Sequence, residues 1–166
     1  MKRTLLIIPC FLLFACSANK PASTAILKSE CPKNGTCTTE LLKNKSMVVK
    51  KDEFGRTYYT LEDHPNVDVI KFSYNKTVKG DIQDAGYREE VVFEWNEDSK
   101  SVSDAALQKT KMLFGRFCFC RGQTGYYKIT KGNLAVTLQP KERILTLNFK
   151  IEEVPQITDS INISLK

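Results

Sequence analysis

The chain has 166 residues, 42% of them hydrophobic and 27% charged, with a formal net charge of +6 and a single histidine. That length is one domain's worth. The basic excess is small and scattered, in stretches such as KNKSMVVKK and KTKMLFGR. It reads as a solvated surface able to touch acidic headgroups or polysaccharide, and with no nucleic-acid-reading motif beside it, DNA and RNA are excluded as partners.

The first twenty residues are MKRTLLIIPCFLLFACSANK. Lys2 and Arg3 form a positive n-region, residues 5–14 an apolar run, and Ala15 is a small residue directly before Cys16. A membrane-spanning helix needs about 20 apolar residues, roughly twice this run, so the segment reads as a secretory signal. Leu13, Phe14, Ala15 and Cys16 resemble the lipobox of bacterial lipoproteins; the rival Cys10 follows Pro9, a poor residue at a cleavage site. The resemblance implies cleavage before Cys16, acylation of that cysteine (palmitate among its chains) and the membrane as a partner through the N-terminal lipid. Two or more acyl chains hold a protein stably where one does not. Ser17, in place of the Asp that retains lipoproteins in the inner membrane of enteric bacteria, implies the outer membrane of the cell envelope. The expected division is a signal peptide at 1–15, a lipidated cysteine and flexible tether at 16–29, and a single β domain at 30–166. Removing the signal leaves 151 residues with 23 Lys+Arg against 19 Asp+Glu, a net charge of +4.

Residues 17–29 are small and polar, as a tether requires. From Cys31 onward the chain reads as short strands and turns. PKNG at 32–35 is a turn, and CTTELL with SMVVKKD is predicted to form a hairpin about Asn44 and Lys45. TYYTLE follows the EFGR turn. NVDVIKFSY places Ile70, Phe72 and Tyr74 on one face, and YREEVVFEW places Val91, Phe93 and Trp95 on one face. SVSDAALQKT is the one helix-like stretch, with Ser101 and Asp104 at capping-box spacing. Then come MLFGRFCFC, GYYKIT, NLAVTLQ and RILTLNFKI; the last two alternate through Leu134, Val136, Leu138, Leu145, Leu147, Phe149 and Ile151. Pro155 breaks the ladder because it has no N–H to donate, and INISL is expected as a final edge strand. About eight strands at regular spacing predict an all-β fold, an antiparallel sandwich or barrel with at most one short helix.

Six cysteines reduce to four in the mature body: Cys31, Cys37, Cys118 and Cys120. An even number in an oxidising compartment argues for disulfides. Cys31 with Cys37 is a geometrically easy local pair, but it would leave Cys118 with Cys120, and residues i and i+2 of an extended strand lie about 6.5–7 Å apart, at or beyond disulfide range. The preferred expectation is therefore two crossed bonds between the pairs. A zinc site is disfavoured by the spacing and a thiol-redox motif of the C-x-x-C kind is absent. Metal handling or thiol redox through Cys118 and Cys120 remains an alternative reading.

In FGRFCFCRGQTGYY (114–127), Phe117 and Phe119 are expected to face the core, the cysteines the other side, and Gly122 and Gly125 to make the turn. Arg116 and Arg121 read as solvent charges. The functional alternative is an exposed recognition loop of Arg121, Gln123, Thr124, Tyr126 and Tyr127, since Tyr and Arg are the residues interfaces favour. His64 sits in a turn, EDHPN, and no G-x-S-x-G, H-E-x-x-H or P-loop accompanies it. The pairs Glu89–Glu90 and Glu152–Glu153 read as surface charge. DSI at 159–161 is similar to an O-glycosylation signal of Bacteroidota, with Ser160 as acceptor. The body loosely resembles Bacteroidota lipoproteins of uncharacterised activity. The expectation is thus a lipid-anchored envelope protein whose disulfide-stapled β domain is a non-enzymatic binding or structural module for a protein or glycan, with no catalytic residue, metal or cofactor. A protease inhibitor on the same tether, presenting RGQTG or EDHPNVD, is the other alternative.

Overall fold

The computed structural model describes residues 26–28, 30–78, 80 and 84–165. The segments expected as signal peptide (1–15) and, for the most part, as lipidated Cys16 and tether (16–29) lie outside the described residues. Among the described residues, twelve antiparallel strands form two sheets packed face to face, with one 3-10 helix beside them, the all-β sandwich expected from the alternation. The smaller sheet runs β1 (Ile26–Leu27), β12 (Ser160–Leu165), β11 (Arg143–Phe149), β10 (Gly132–Leu138), β7 (Val102–Ser103). The larger runs β2 (Gly35–Leu42), β5 (Asp68–Lys76), β6 (Tyr87–Trp95), β8 (Leu113–Cys118), β9 (Gly125–Lys128), β4 (Thr57–Asp63), β3 (Lys45–Lys51).

The residues predicted to share a face do so. Ile70, Phe72 and Tyr74 of β5 and Val91, Phe93 and Trp95 of β6 are buried against Leu145, Leu147, Ile161 and Ile163 of the opposite sheet. Phe114 and Phe149 meet across the two layers with ring centroids 5.8 Å apart. Each such side chain contributes about 1.5–3 kcal/mol on leaving water. The alternation in β10 outruns the core: Leu134 is buried, Val136 is partly covered and Leu138 is exposed.

β2 and β3 are joined by a tight turn through Asn44, but they do not pair with each other as a hairpin. β2 pairs with β5 and β3 with β4. Asn44 takes a left-handed conformation (φ 55°), which an asparagine tolerates, and its N–H donates to Asp68 Oδ1 at 2.9 Å. The β3–β4 hairpin then crosses the back of the sheet from β5 towards β9. Met47 packs there on Val69, Val92 and Leu113 to make a second apolar cluster. The central strands are consequently covered on both faces.

A charged clamp fixes this crossing. Glu94 Oε1 accepts hydrogen bonds from Ser46 Oγ (2.6 Å), Met47 N (2.7 Å) and Lys111 Nζ (2.8 Å). Burial disfavours the Glu94 charge, but the bonds from Lys111, Ser46 and Met47 outweigh it and hold the carboxyl below its ordinary value of 4.5. A depressed folded-state value gives stability that is present above the unfolded value and is lost as pH falls through the folded one. Urea unfolding of Glu94→Gln is therefore expected to show a lower midpoint than the native chain at pH 7 and a shrinking difference below about pH 4.5. A pH-independent difference would put the loss in packing instead of charge.

The 3-10 helix (Asp104–Thr110) lies where the helix was predicted, but its predicted capping residues bond elsewhere. Asp104 Oδ1 accepts from Gly132 N and Ser101 Oγ from Val136 N, so both tie the helix entry to β10. INISL is not an edge strand, because β1 pairs along its outer side. That contact brings Ile26 and Leu27, assigned to the tether, into the sheet. The Pro155 segment leaves the ladder as expected. No helix among the described residues is long and apolar enough to cross a membrane.

The crossed disulfides are not formed. Cys31 bonds Cys37 and Cys118 bonds Cys120. The strand order gives the reason: β5 and β6 lie between β2, which carries Cys37, and β8, which carries Cys118. Three inter-strand steps are about 14 Å, far beyond disulfide reach. The local closure is possible because β8 ends at Cys118, so the chain bends over the next two residues and brings the Cα atoms to 5.1 Å. Loops this short contribute towards the low end of the roughly 2–4 kcal/mol typical of a disulfide.

Candidate functional site

The stretch from Arg116 to Lys128 is organised by two rows of side chains, one on each face of the larger sheet. On the back face, Glu90 stands opposite Gly115 of β8, and Gly115 stands opposite Tyr126 of β9. With no side chain at Gly115, the Tyr126 ring lies over it; a Cβ there would meet Tyr126 Cε1 at 2.7 Å. Tyr126 Oη reaches across the missing side chain and donates to Glu90 Oε2 at 2.6 Å. Glu90 is 2% exposed and its charge is met by Arg88 at 2.9 Å and Lys71 at 3.4 Å, two long side chains that keep their heads nearer solvent. The Arg88 guanidinium lies 4.4 Å from the centre of the Phe117 ring, and Tyr59 and Phe117 each meet Tyr126 edge-on at 5.2 Å. Burial first, and then the Glu90 hydrogen bond, push the Tyr126 hydroxyl far above its ordinary value.

On the front face, Glu89 is fully buried. Its carboxylate accepts from Tyr87 Oη at 2.5 Å, Ile157 N at 2.6 Å and Thr158 N at 2.7 Å, so one side chain of β6 holds the chain that precedes β12. Burial, followed by the Glu89 hydrogen bond, raises the Tyr87 hydroxyl to about 12. Arg116 is 7% exposed. Its Nη1 donates to Gln123 O (3.1 Å) and Gln123 Oε1 (3.0 Å), while Thr124 Oγ1 donates to Arg116 O (3.1 Å). The expectations for these residues are thus corrected: Glu89 and Glu90 are not surface charge and Arg116 is not a solvent charge. All three stand on strands covered on both sides, a circumstance that a single-strand reading does not contain.

Between the tip of the β3–β4 hairpin and the β8–β9 turn lies a groove of about 580 Å³. Its walls are Lys51, Gly55, Arg56 and Thr57 on one side and Thr124, Tyr126, Tyr127 and Lys128 on the other, with Glu153 at the rim. The groove exists because β4 and β9 pair at one position only, Thr57 with Tyr126. Ile129 N donates to Met112 O at 3.2 Å, which sets the phase of the β8–β9 ladder. By antiparallel alternation Tyr127 and Gly125 turn their main-chain groups to β8, while Tyr126 and Lys128 turn theirs towards β4. Lys128 therefore presents a strand edge across the groove from Gly55.

Of the predicted recognition loop, Thr124, Tyr126 and Tyr127 line the groove, each tyrosine half-buried on a different face. Arg121 and Gln123 are exposed on the turn outside the lining, Gln123 holding Arg116. Phe119 does not join the core: at 82% it is the most exposed large apolar side chain among the described residues, since the chain has already left β8 at Cys118. The groove residues that sequence reasoning missed are Lys51 and Arg56, some 70 residues away in the chain; the SMVVKKD strand and the EFGR turn contain them, but nothing local connects them to β9.

His64 lies on the exposed β4–β5 turn, its Nδ1 2.9 Å from Pro65 O. It lines a second cleft of about 780 Å³ between the sheets, floored by Leu41, Trp95 and Leu165. Asp68, Glu97 and Asp98 there outnumber Lys43 and Arg143 by one, and no Ser, Thr or Cys is among the lining residues. The four described cysteines are all in disulfides, and no group of three His, Cys, Asp or Glu able to hold a metal ion occurs among the described residues. RGQTG and EDHPNVD are tight turns, with Gly122 and Asn66 at φ 71° and 68°. Ser160, the serine of DSI, is exposed at the start of β12. Comparison with protein families, curated proteins and solved structures finds no match to this chain.

Proposed function

We propose that this is a lipid-anchored binding module of the bacterial cell envelope, and that its groove beside β9 receives an extended, acidic segment of a partner protein. The observation that carries the reading is the splayed pairing of β4 and β9. It leaves a strand edge at Lys128 flanked by Lys51, Arg56 and Tyr127. An unpaired edge offers main-chain hydrogen bonds to an added strand, and flanking side chains supply selectivity. Arg56 is paired with Asp52 at 2.7 Å, but Lys51 and Lys128 still outnumber the one rim carboxylate, Glu153, which favours an acidic occupant. A glycan would use the tyrosines and cations but not the strand edge, so the edge favours polypeptide. The lipobox-like residues Leu13, Phe14, Ala15 and Cys16 support a lipid anchor, which would hold the module at a membrane surface.

Amide NMR of the mature chain titrated with an acidic peptide and with an acidic polysaccharide tests this. The peptide is expected to shift amides at 55–57 and 124–128, with affinity falling as salt rises. Lys51→Glu with Lys128→Glu is expected to weaken binding about tenfold, or 1.4 kcal/mol. Shifts with the polysaccharide alone would make the ligand a glycan, and no shift in the groove with either would remove it as the binding face.

A further inference from the structure

We infer that the Cys118–Cys120 disulfide is a thiol–disulfide exchange site that oxidises dithiols in polypeptide substrates, an activity separate from the groove. The two disulfides of the domain stand in different settings. Cys31 and Cys37 pack against the main core and close the turn that leads into β2. Cys118 and Cys120, partly covered like the first pair, belong to neither apolar cluster and span a single residue at the tip of the β8–β9 hairpin.

That tip keeps its shape by other means. The ladder pairs Leu113 through Arg116 with Lys128 through Gly125. Arg116 and Thr124 bond across the base of the turn, and Gln123 N donates to Cys120 O at 3.1 Å. A bond that closes so small a loop constrains the unfolded chain least. Opening it therefore removes little from the fold, and the pair is free to cycle.

The surroundings suit a polypeptide substrate. Phe119, between the two cysteines in the chain, projects into solvent and offers apolar contact to an unfolded or partly folded chain. Arg121 follows directly, and a neighbouring cation favours the thiolate that must leave during exchange. In the reaction a substrate thiolate attacks one sulfur of the pair. The Cys118–Cys120 bond breaks, a mixed disulfide forms, and the other cysteine leaves as thiolate. The second substrate thiolate then attacks the mixed disulfide. The substrate gains a disulfide and loses two protons and two electrons, while Cys118 and Cys120 become a dithiol. A low-molecular-weight disulfide of the oxidising compartment, reduced to two thiols, restores the bond.

The test uses the mature chain with both disulfides intact. It is equilibrated with graded mixtures of reduced and oxidised glutathione, its thiols are trapped by alkylation, and the labelled peptides are identified by mass. Cys118 and Cys120 are expected to open together at ratios that leave Cys31–Cys37 closed. With oxidised glutathione present, the chain should oxidise a dithiol peptide about tenfold faster than glutathione alone. Cys118→Ser and Cys120→Ser should abolish this, and Phe119→Ser should slow the peptide but not dithiothreitol. The Cys118→Ala, Cys120→Ala double variant should keep its circular dichroism. Reduction of both disulfides only on unfolding, loss of fold in the double variant, or no acceleration over glutathione would each overturn the proposal.

Discussion

Replacing Glu89 by alanine is expected to destabilise the domain by about 3–5 kcal/mol, the range for removing one member of a buried charged network. Three donors converge on this carboxylate, and two of them are main-chain N–H groups of Ile157 and Thr158, which cannot turn elsewhere. Glu89→Gln keeps the volume but points an NH2 group at one or more of these donors, so it is expected to lose about half as much, on the order of 2 kcal/mol. For a domain of this size 1 kcal/mol is worth roughly 2–4 °C in Tm, so the alanine variant should melt about 10 °C lower. Hydrogen exchange adds a local signature: the amides of Ile157 and Thr158 should lose protection before those of β12. Glu152→Gln, which removes an exposed partner of Lys131, serves as the control and should leave Tm in place. If Glu89 and Glu152 variants melt alike, Glu89 does not hold the segment before β12.

Gly132→Ala is expected to cost about 3–4 kcal/mol. Gly132 opens β10 at φ 134°, a conformation that side chains rarely adopt. A Cβ there would stand 2.1 Å from Asn148 O and 2.7 Å from Phe149 Cα, both main-chain atoms of the paired strand β11. Neither can swing aside as a side chain could, so the ladder must open at its first rung. Gly122, also at positive φ (71°), has open space around it, so Gly122→Ala should cost only the conformational term of about 1–2 kcal/mol. Chemical denaturation of the two variants separates close approach from backbone conformation. Equal losses would show that β10 and β11 tolerate a methyl between them.

Much of the sandwich was legible because strand alternation is written in consecutive residues. Ile70, Phe72 and Tyr74, then Val91, Phe93 and Trp95, are buried together as their spacing requires. Legibility failed where a strand is covered twice. In YREEVVFEW the acidic positions read as solvent, yet Glu89 and Glu90 are buried on opposite faces because β12's leading segment covers one and the β9 tyrosine covers the other. The partner of a strand was equally hidden. The short Asn44 turn suggested that β2 and β3 pair, but each finds its ladder elsewhere, and this rearrangement carries Lys51 and Arg56 to the groove. The cysteine pairing was misjudged for the same reason: an extended strand through Cys120 would have kept the pair apart, and the end of β8 at Cys118 was not visible locally.

By itself the sequence determined the lipobox-like N-terminus, the strand faces, the turns at Asn44 and Gly122 and the all-β class, since each depends on a few neighbouring residues and their local sterics. Only the tertiary structure decided which strands lie side by side. That choice turned two carboxylates and an arginine into buried anchors, separated Cys37 from Cys118 by two strands, left Phe119 in solvent, and set β4 against β9 at a single rung. The physical reason is that burial and hydrogen-bond satisfaction belong to pairs of elements distant in the chain, and no period within one strand records what will cover its second face.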